Sequence, residues 1–158
     1  MGLCALSRGA RGAHCGAVKH HATPTEPISR ELSRDEGLRL LQGVTFGRVV
    51  FISRALPALR FASHVVDGDG LLVGLPYESD IAALLKRVSH VVYEADALDA
   101  SRLGWSVVLS GRAGLAEDPQ EVAQAQERLQ AWPGERIDVV MRVRPELVTG
   151  FHIGVGAP

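Results

Sequence analysis

Residues 104–115, Gly-Trp-Ser-Val-Val-Leu-Ser-Gly-Arg-Ala-Gly-Leu, constrain the fold more than any other stretch of this chain. Trp105, Val107, Leu109, Ala113 and Leu115 fall on one side of an extended backbone, and Ser106, Ser110 and Arg112 on the other. A period of two is the mark of a strand with one buried face. Gly111 and Gly114 interrupt the run where a barrel strand is expected to bend or bulge.

The rest of the pattern is of the same kind. Arg48–Ile52, Leu59–Val66, Leu71–Leu75, His90–Ala95 and Ile137–Val143 read as strands, and Val148–Ile153 as a last strand that closes the sheet. Asp67-Gly68-Asp69-Gly70 joins two of them, and Asp-Gly steps tolerate the positive φ of a tight hairpin. In the final strands Val139 and Met141 are expected inside, and Asp138, Arg142 and Arg144 on an exposed face. Three helices interrupt the strands. Ser33-Arg34-Asp35-Glu36 has the hydroxyl-to-carboxylate spacing of a capping box and starts a helix from Arg34 to Gln42. Ile81, Leu84, Leu85 and Val88 put a 3.6-residue stripe on Glu78–Val88. Asp118-Pro119 opens a third helix, which ends before Trp132-Pro133-Gly134. Hairpins separated by short helices predict a mainly β fold with peripheral helices, an antiparallel barrel and not a parallel βαβ sheet.

Charge and composition narrow the function. The 158 residues carry a net charge of -1, which offers no electrostatic basis for binding nucleic acid or a membrane surface. No apolar run approaches the roughly 18–20 residues of a membrane span. Residues 1–29 differ from the remainder: Arg8, Arg11 and Lys19 face one acid, Glu26, for a local balance of +2. With Gly, Ala, Pro24 and Pro27 and no periodicity, they are expected to be a disordered basic tail on a domain at 30–155. An over-extended gene start or a transit peptide are the other readings of the tail; a secretory signal is not, because Arg8 and Arg11 break its apolar stretch. Both cysteines, Cys4 and Cys15, lie in this tail, so no disulfide framework is expected and a reducing cytoplasm is the expected setting. His14, Cys15, His20 and His21 lack the paired spacings of a zinc site, so no metal is expected.

The familiar catalytic motifs do not occur. There is no Gly-x-Gly-x-x-Gly after a strand, no phosphate loop ending in Gly-Lys-Ser/Thr and no Gly-x-Ser-x-Gly elbow. His64, His90 and His152 show no metal-pair spacing, and Glu94 and Asp96 are expected on opposite strand faces or in a loop. No catalytic residue can be assigned.

Five segments recur in a set order: Gly47-Arg48-Val49-Val50, Leu56-Pro57-Ala58-Leu59-Arg60 leading into Ser63-His64, Glu94-Ala95-Asp96, Gly104-Trp105-Ser106-Val107-Val108, and Arg144-Pro145-Glu146-Leu147-Val148-Thr149-Gly150. In this order they resemble the actinobacterial-type branch of the pyridoxamine 5'-phosphate oxidase-like, FMN-binding split-barrel family, over about Leu32 to Ile153. The resemblance implies an antiparallel split β-barrel and a homodimer with a small-molecule ligand in its interface groove. The ligand it implies is FMN, whose phosphate wants charge-assisted hydrogen bonds and whose ring supplies the redox chemistry. A deazaflavin such as F420, or no flavin at all, are the other readings.

Carried over by position, the resemblance implies that Arg60, Ser63, His64, Gly74, Leu75, Asp80, Trp105 and Ser106 line the cofactor site. The match is uneven. The family's Arg-Pro-Val-Asn segment corresponds to Arg60-Phe61-Ala62-Ser63. Gly74 and Leu75 stand where the family has Arg-Thr, and Asp80 stands where it has Lys. Two unit charges about 5 Å apart interact by roughly 3 kcal/mol at an effective dielectric of 20, so an anion at 80 is expected to weaken phosphate binding. Replacing Gly74 by Arg and Asp80 by Lys is expected to restore it. Trp105 is expected mainly to pack, and Arg60 to be either a phosphate ligand or a solvated strand arginine.

Overall fold

The chain is described by a computed structural model over residues 27–76 and 89–155. Seven strands occupy these residues: β1 (Pro27–Glu31), β2 (Phe46–Ser53), β3 (Leu56–Asp67), β4 (Gly70–Leu75), β5 (Ser89–Leu98), β6 (Gly104–Leu115) and β7 (Val139–Val155). Two helices accompany them, α1 (Arg34–Leu41) and α2 (Pro119–Arg128). The helix expected at Glu78–Val88, and with it Asp80, lies outside the described residues, as does most of the tail. β1 takes in residues 27–29, which composition had grouped with the tail, and pairs with the end of β7.

All pairings are antiparallel, in the order β1-β7-β4-β3-β2-β5-β6, and β6 pairs back to β7. That last pairing closes a six-stranded barrel. β7 is a single strand of 17 residues where the sequence suggested two. Its first half bonds β4 and its second half bonds β1, while β6 runs along its other edge. One bulge makes this possible. Ser110 faces Leu147 but Gly111 faces Pro145, so Glu146 is the extra residue. Pro145 has no N–H to lose there. Gly111 allows the close approach, because a Cβ would stand 2.1 Å from the Arg144 carbonyl oxygen. Gly114, the other expected bend, has open space around it and no register shift.

The barrel interior is filled by alternate residues: Val49 and Phe51, Ala62, Leu71, Val73 and Leu75, Val91, Tyr93 and Ala95, Val107 and Leu109, Met141 and Val143. β4 is buried on both faces, because Leu72 on its outer side packs with Val140, Ala125 and Leu129 under α2. Arg142 reinforces this layer with ion pairs to Asp67 at 2.9 Å and Glu121 at 2.6 Å. Its expected exposed position is therefore corrected to a partly buried one, and the Arg142 guanidinium holds the Asp67 carboxyl below its usual range. Arg144 is exposed as expected. α1 begins with the predicted capping box: the Ser33 hydroxyl accepts from the Glu36 N–H, and the Glu36 carboxylate accepts from the Ser33 N–H at 2.9 Å. Among the described residues no helix is long and apolar enough to cross a membrane.

Candidate functional site

Strand alternation sorts the expected site residues onto two faces. Ala62 lies in the core, so Arg60 and His64 leave β3 on the inward side, and Phe61 and Ser63 on the outward side. On β4, Leu75 points into the barrel with Leu71 and Val73, and Gly74 faces out opposite Ser63. On β6, Trp105 shares the inward side with Val107 and packs at the end of the core, while Ser106 faces out. The eight expected residues are thus not one cradle. Ser63, Gly74 and Ser106 belong to the outer face; Arg60, His64, Leu75 and Trp105 belong to the inner one; Asp80 is outside the described residues.

His64 is held inside the barrel. It is 2% exposed, with Nε2 2.8 Å from the Leu41 carbonyl and Nδ1 2.7 Å from the Tyr93 hydroxyl. The carbonyl can only accept, so Nε2 carries the proton and Nδ1 accepts from Tyr93. Leu41 ends α1, so His64 satisfies one of the carbonyls that every helix terminus leaves without a partner. Burial lowers the imidazole pKa against the opposing pull of that carbonyl. The Tyr93 phenol is pushed up, first by burial and then by the nearby Glu94. The resemblance puts His64 in the cofactor site, whereas here it is buried against α1; the hydrophobic neighbours of β3 give no sign of the helix end that it binds.

The outward row is the chemically richer one. Register places Phe61 beside Arg48, Arg48 beside Glu94, and Asp96 beside Ser106. Arg48 Nη1 donates to Glu94 Oε2 and to Asp96 Oδ1, each at 2.6 Å, and the Asp96 bond, then the Glu94 bond, raises its pKa. The expectation that Glu94 and Asp96 lie apart is corrected here. They are two residues apart on an unbroken strand, so both side chains meet the same cation. The Arg48 guanidinium carbon lies 5.8 Å from the Phe61 ring centroid. Around this polar island the outer face is apolar: Val50, Val92 and Val108 are half-buried, and Ile52, Leu59, Phe61, Leu98 and Leu147 are exposed.

Residues 129–138, between α2 and β7, cross the end of this face. Trp132 stacks on Phe61 with centroids 5.6 Å apart and meets Phe46 edge-on at 5.1 Å. Each such pair contributes about 0.5–1.5 kcal/mol beyond its buried area. Phe46, Gly47, Arg48, Phe61, Asp96 and Trp132 line an open groove of about 160 Å³. Beside it, Phe61, Ser63, Gly74, Trp132, Arg136 and Ile137 enclose a cavity of about 10 Å³, room for one water. The Ser63 hydroxyl is buried there with no hydrogen-bond partner among the described residues. A Cβ at position 74 would stand 2.8 Å from Ser63 Oγ and 3.1 Å from each of two Ile137 carbons. A side chain introduced at 74, as in the expected rescue by Gly74→Arg with Asp80→Lys, therefore requires Ser63 and Ile137 to give way. Among the described residues no group of three His, Cys, Asp or Glu is placed to hold a metal ion. Arg48, Phe46 and Trp132 carried no sequence signal for a site beyond the Gly47-Arg48 segment, since only the register assembles them.

A sequence model described as Pyridoxamine 5'-phosphate oxidase matches residues 33–152. An uncharacterized protein of Mycobacterium tuberculosis, Rv0080, is 43% identical over 129 residues, covering 78% of this chain and 84% of that protein. Among solved structures, an FAD-binding protein of Mycobacterium smegmatis superposes with a TM-score of 0.62 at 26% identity, covering 78% of this chain and 98% of its own. An FAD-binding protein of Mesorhizobium loti gives a TM-score of 0.65 at 19% identity, covering 82% and 99%. The fold these share is the split barrel.

Proposed function

Because the chain belongs to the pyridoxamine 5'-phosphate oxidase family, matched across residues 33–152, we propose that it binds a flavin, FMN foremost, on the outer face of β2, β3, β5 and β6 and acts as an oxidoreductase on a small substrate. The observation that carries this reading is the row Phe61–Arg48–Glu94/Asp96–Ser106, an aromatic wall beside a fixed cation on an otherwise apolar sheet. The two FAD-binding relatives support it from outside. In this arrangement Phe61 is the apolar support for a flat ring. The Arg48 guanidinium, fixed by two carboxylates in a group of net charge -1, offers N–H donors to the polar edge of the ring, and Ser106 offers a hydroxyl beside it. A bound flavin supplies the electron-accepting ring, and the charge next to it tunes its potential.

The residues fit the ring end better than the phosphate end. Ser63 offers a buried hydroxyl without a partner, but Ile137 fills the space before it, and Arg136 is exposed and paired with Asp138 at 3.3 Å. A groove of about 160 Å³ is also smaller than the roughly 300–1,000 Å³ that encloses a cofactor-sized ligand. A second copy laid on the apolar outer face would complete it, and we take the working unit to be a homodimer.

The test is the visible spectrum of the purified protein followed by FMN titration read by flavin fluorescence. Saturable quenching is expected. A protein that neither carries flavin nor takes it up sinks the reading and favours a barrel that has lost the cofactor. Within this reading, Arg48→Met is expected to weaken flavin binding about tenfold, the ratio that ~1.4 kcal/mol supplies, with the variant's melting temperature recorded to separate loss of fold from loss of affinity.

A further inference from the structure

The phosphate end of the groove is closed by the protein itself, and the closing segment has the construction of a removable part. Leu129 and Val139 anchor its two ends, each less than 10% exposed. Between them, every residue from Gln130 to Arg136 is exposed. The segment turns on the Glu135 N–H to Trp132 carbonyl bond at 2.9 Å, through Pro133 and a Gly134 at φ +86° with nothing near its Cβ position. Two side chains reach back to the barrel. Trp132, itself 44% exposed, covers Phe61 and Phe46; Ile137 fills the room before Ser63 and Gly74, packs against the Leu72, Ala125, Leu129 and Val140 layer under α2, and accepts a bond from Gln126 Nε2 at its carbonyl, 3.4 Å.

These contacts compete with a ligand. A ring that stacks on Phe61 needs the surface on which Trp132 already stacks. A polar group that reaches the Ser63 hydroxyl needs the volume of Ile137. Gly74 fits the same picture: its missing side chain is what gives Ile137 a seat. The buried Ser63 hydroxyl without a partner marks the place as a polar site covered by an apolar residue.

We infer that residues 130–137 are an intramolecular plug, with Trp132 and Ile137 occupying the flavin groove, and that a flavin enters only when this segment swings out on its Pro133-Gly134 turn. The inference rests on the flavin reading above. A closed state held by two aromatic contacts and by the packing of Ile137 under α2 lowers the apparent affinity by the fraction of time the groove is open.

The experiment titrates the full chain with FMN and compares wild type with Trp132→Ala and, separately, Ile137→Ala, all shown folded by circular dichroism. Trp132 lies on an exposed turn, so its replacement leaves the barrel intact; Ile137→Ala is the second route should that variant misfold. Removing the plug is expected to tighten FMN binding at least tenfold. In a Trp105→Phe background, the single remaining tryptophan is expected to become more accessible to acrylamide as FMN is added. Unchanged affinity, or weaker binding with Trp132 shielded by FMN, makes Trp132 a fixed wall of the site and overturns the plug while the flavin reading stands. Folded proteins that bind no FMN with or without the plug overturn both.

Discussion

His64 sets a pH dependence that can be worked out from its surroundings. Its folded pKa is lowered by burial below the ordinary 6.5. Below about pH 6.5 the unfolded chain therefore takes up a proton that the folded chain refuses, and the folded state loses stability as pH falls from there toward the folded pKa. Above 6.5 the residue contributes no slope. Glu36 acts in a separate window. Its backbone bond to Ser33, with Arg30 beside it, brings its pKa to about 2, so its contribution is present above the ordinary 4.5 and fades as pH falls toward 2. Thermal melts are expected to show a slope that sets in as pH falls below about 6.5 and that His64→Gln removes. A slope that survives the substitution would assign it to another group.

At the scale of elements, the β2–β3 hairpin stores strain. Its two turn residues, Arg54 and Ala55, adopt φ values of 50° and 66°, a region that costs an L residue about 1–2 kcal/mol. Asn-Gly is the pair this turn prefers, so Arg54-Ala55 carries no signal for a two-residue hairpin. Ala55→Gly is expected to stabilise the fold by about 0.5–1 kcal/mol, less than the full strain because glycine loses more freedom on folding; a denaturant midpoint that does not rise would contradict it. The α1 start was legible because a capping box is a local signal of two side chains. Ser33→Ala is expected to cost about 1 kcal/mol in the same assay. β1 was not legible, since a short edge strand with Pro27, Ser29 and Arg30 carries no alternation and is held by its backbone pairing with β7.

At the scale of the whole molecule, closure and assembly matter most. β6 and β7 seal the barrel along nearly their full lengths, and the bulge at Glu146 lets one strand serve two neighbours. The outer face so created leaves Ile52, Leu59, Phe61, Leu98 and Leu147 in contact with solvent, and large apolar side chains gathered on one exposed face mark an interaction surface. The proposed homodimer covers it. Light scattering is expected to give twice the chain mass at micromolar concentration, and Leu59→Glu to shift the protein toward monomer with the fold intact. A monomer at that concentration in the unchanged protein would leave the groove open on one side and remove the proposed pairing.

Which segments alternate, where the hairpin at Asp67–Gly70 turns, where α1 and α2 begin and which family this barrel resembles can all be read along the chain, because each is written in neighbouring residues. Which face a residue takes was decided by the tertiary structure. Arg60 and Ser63 sit three residues apart, and strand parity sends one inward and the other outward. Arg48, Phe61, Asp96 and Ser106 come from four strands and meet only through register. Trp132 and Ile137 reach the groove only because α2 delivers their segment across it. A side chain's identity is local, but its neighbours across a closed sheet are set by pairings between residues far apart in the chain, and that is where the site lies.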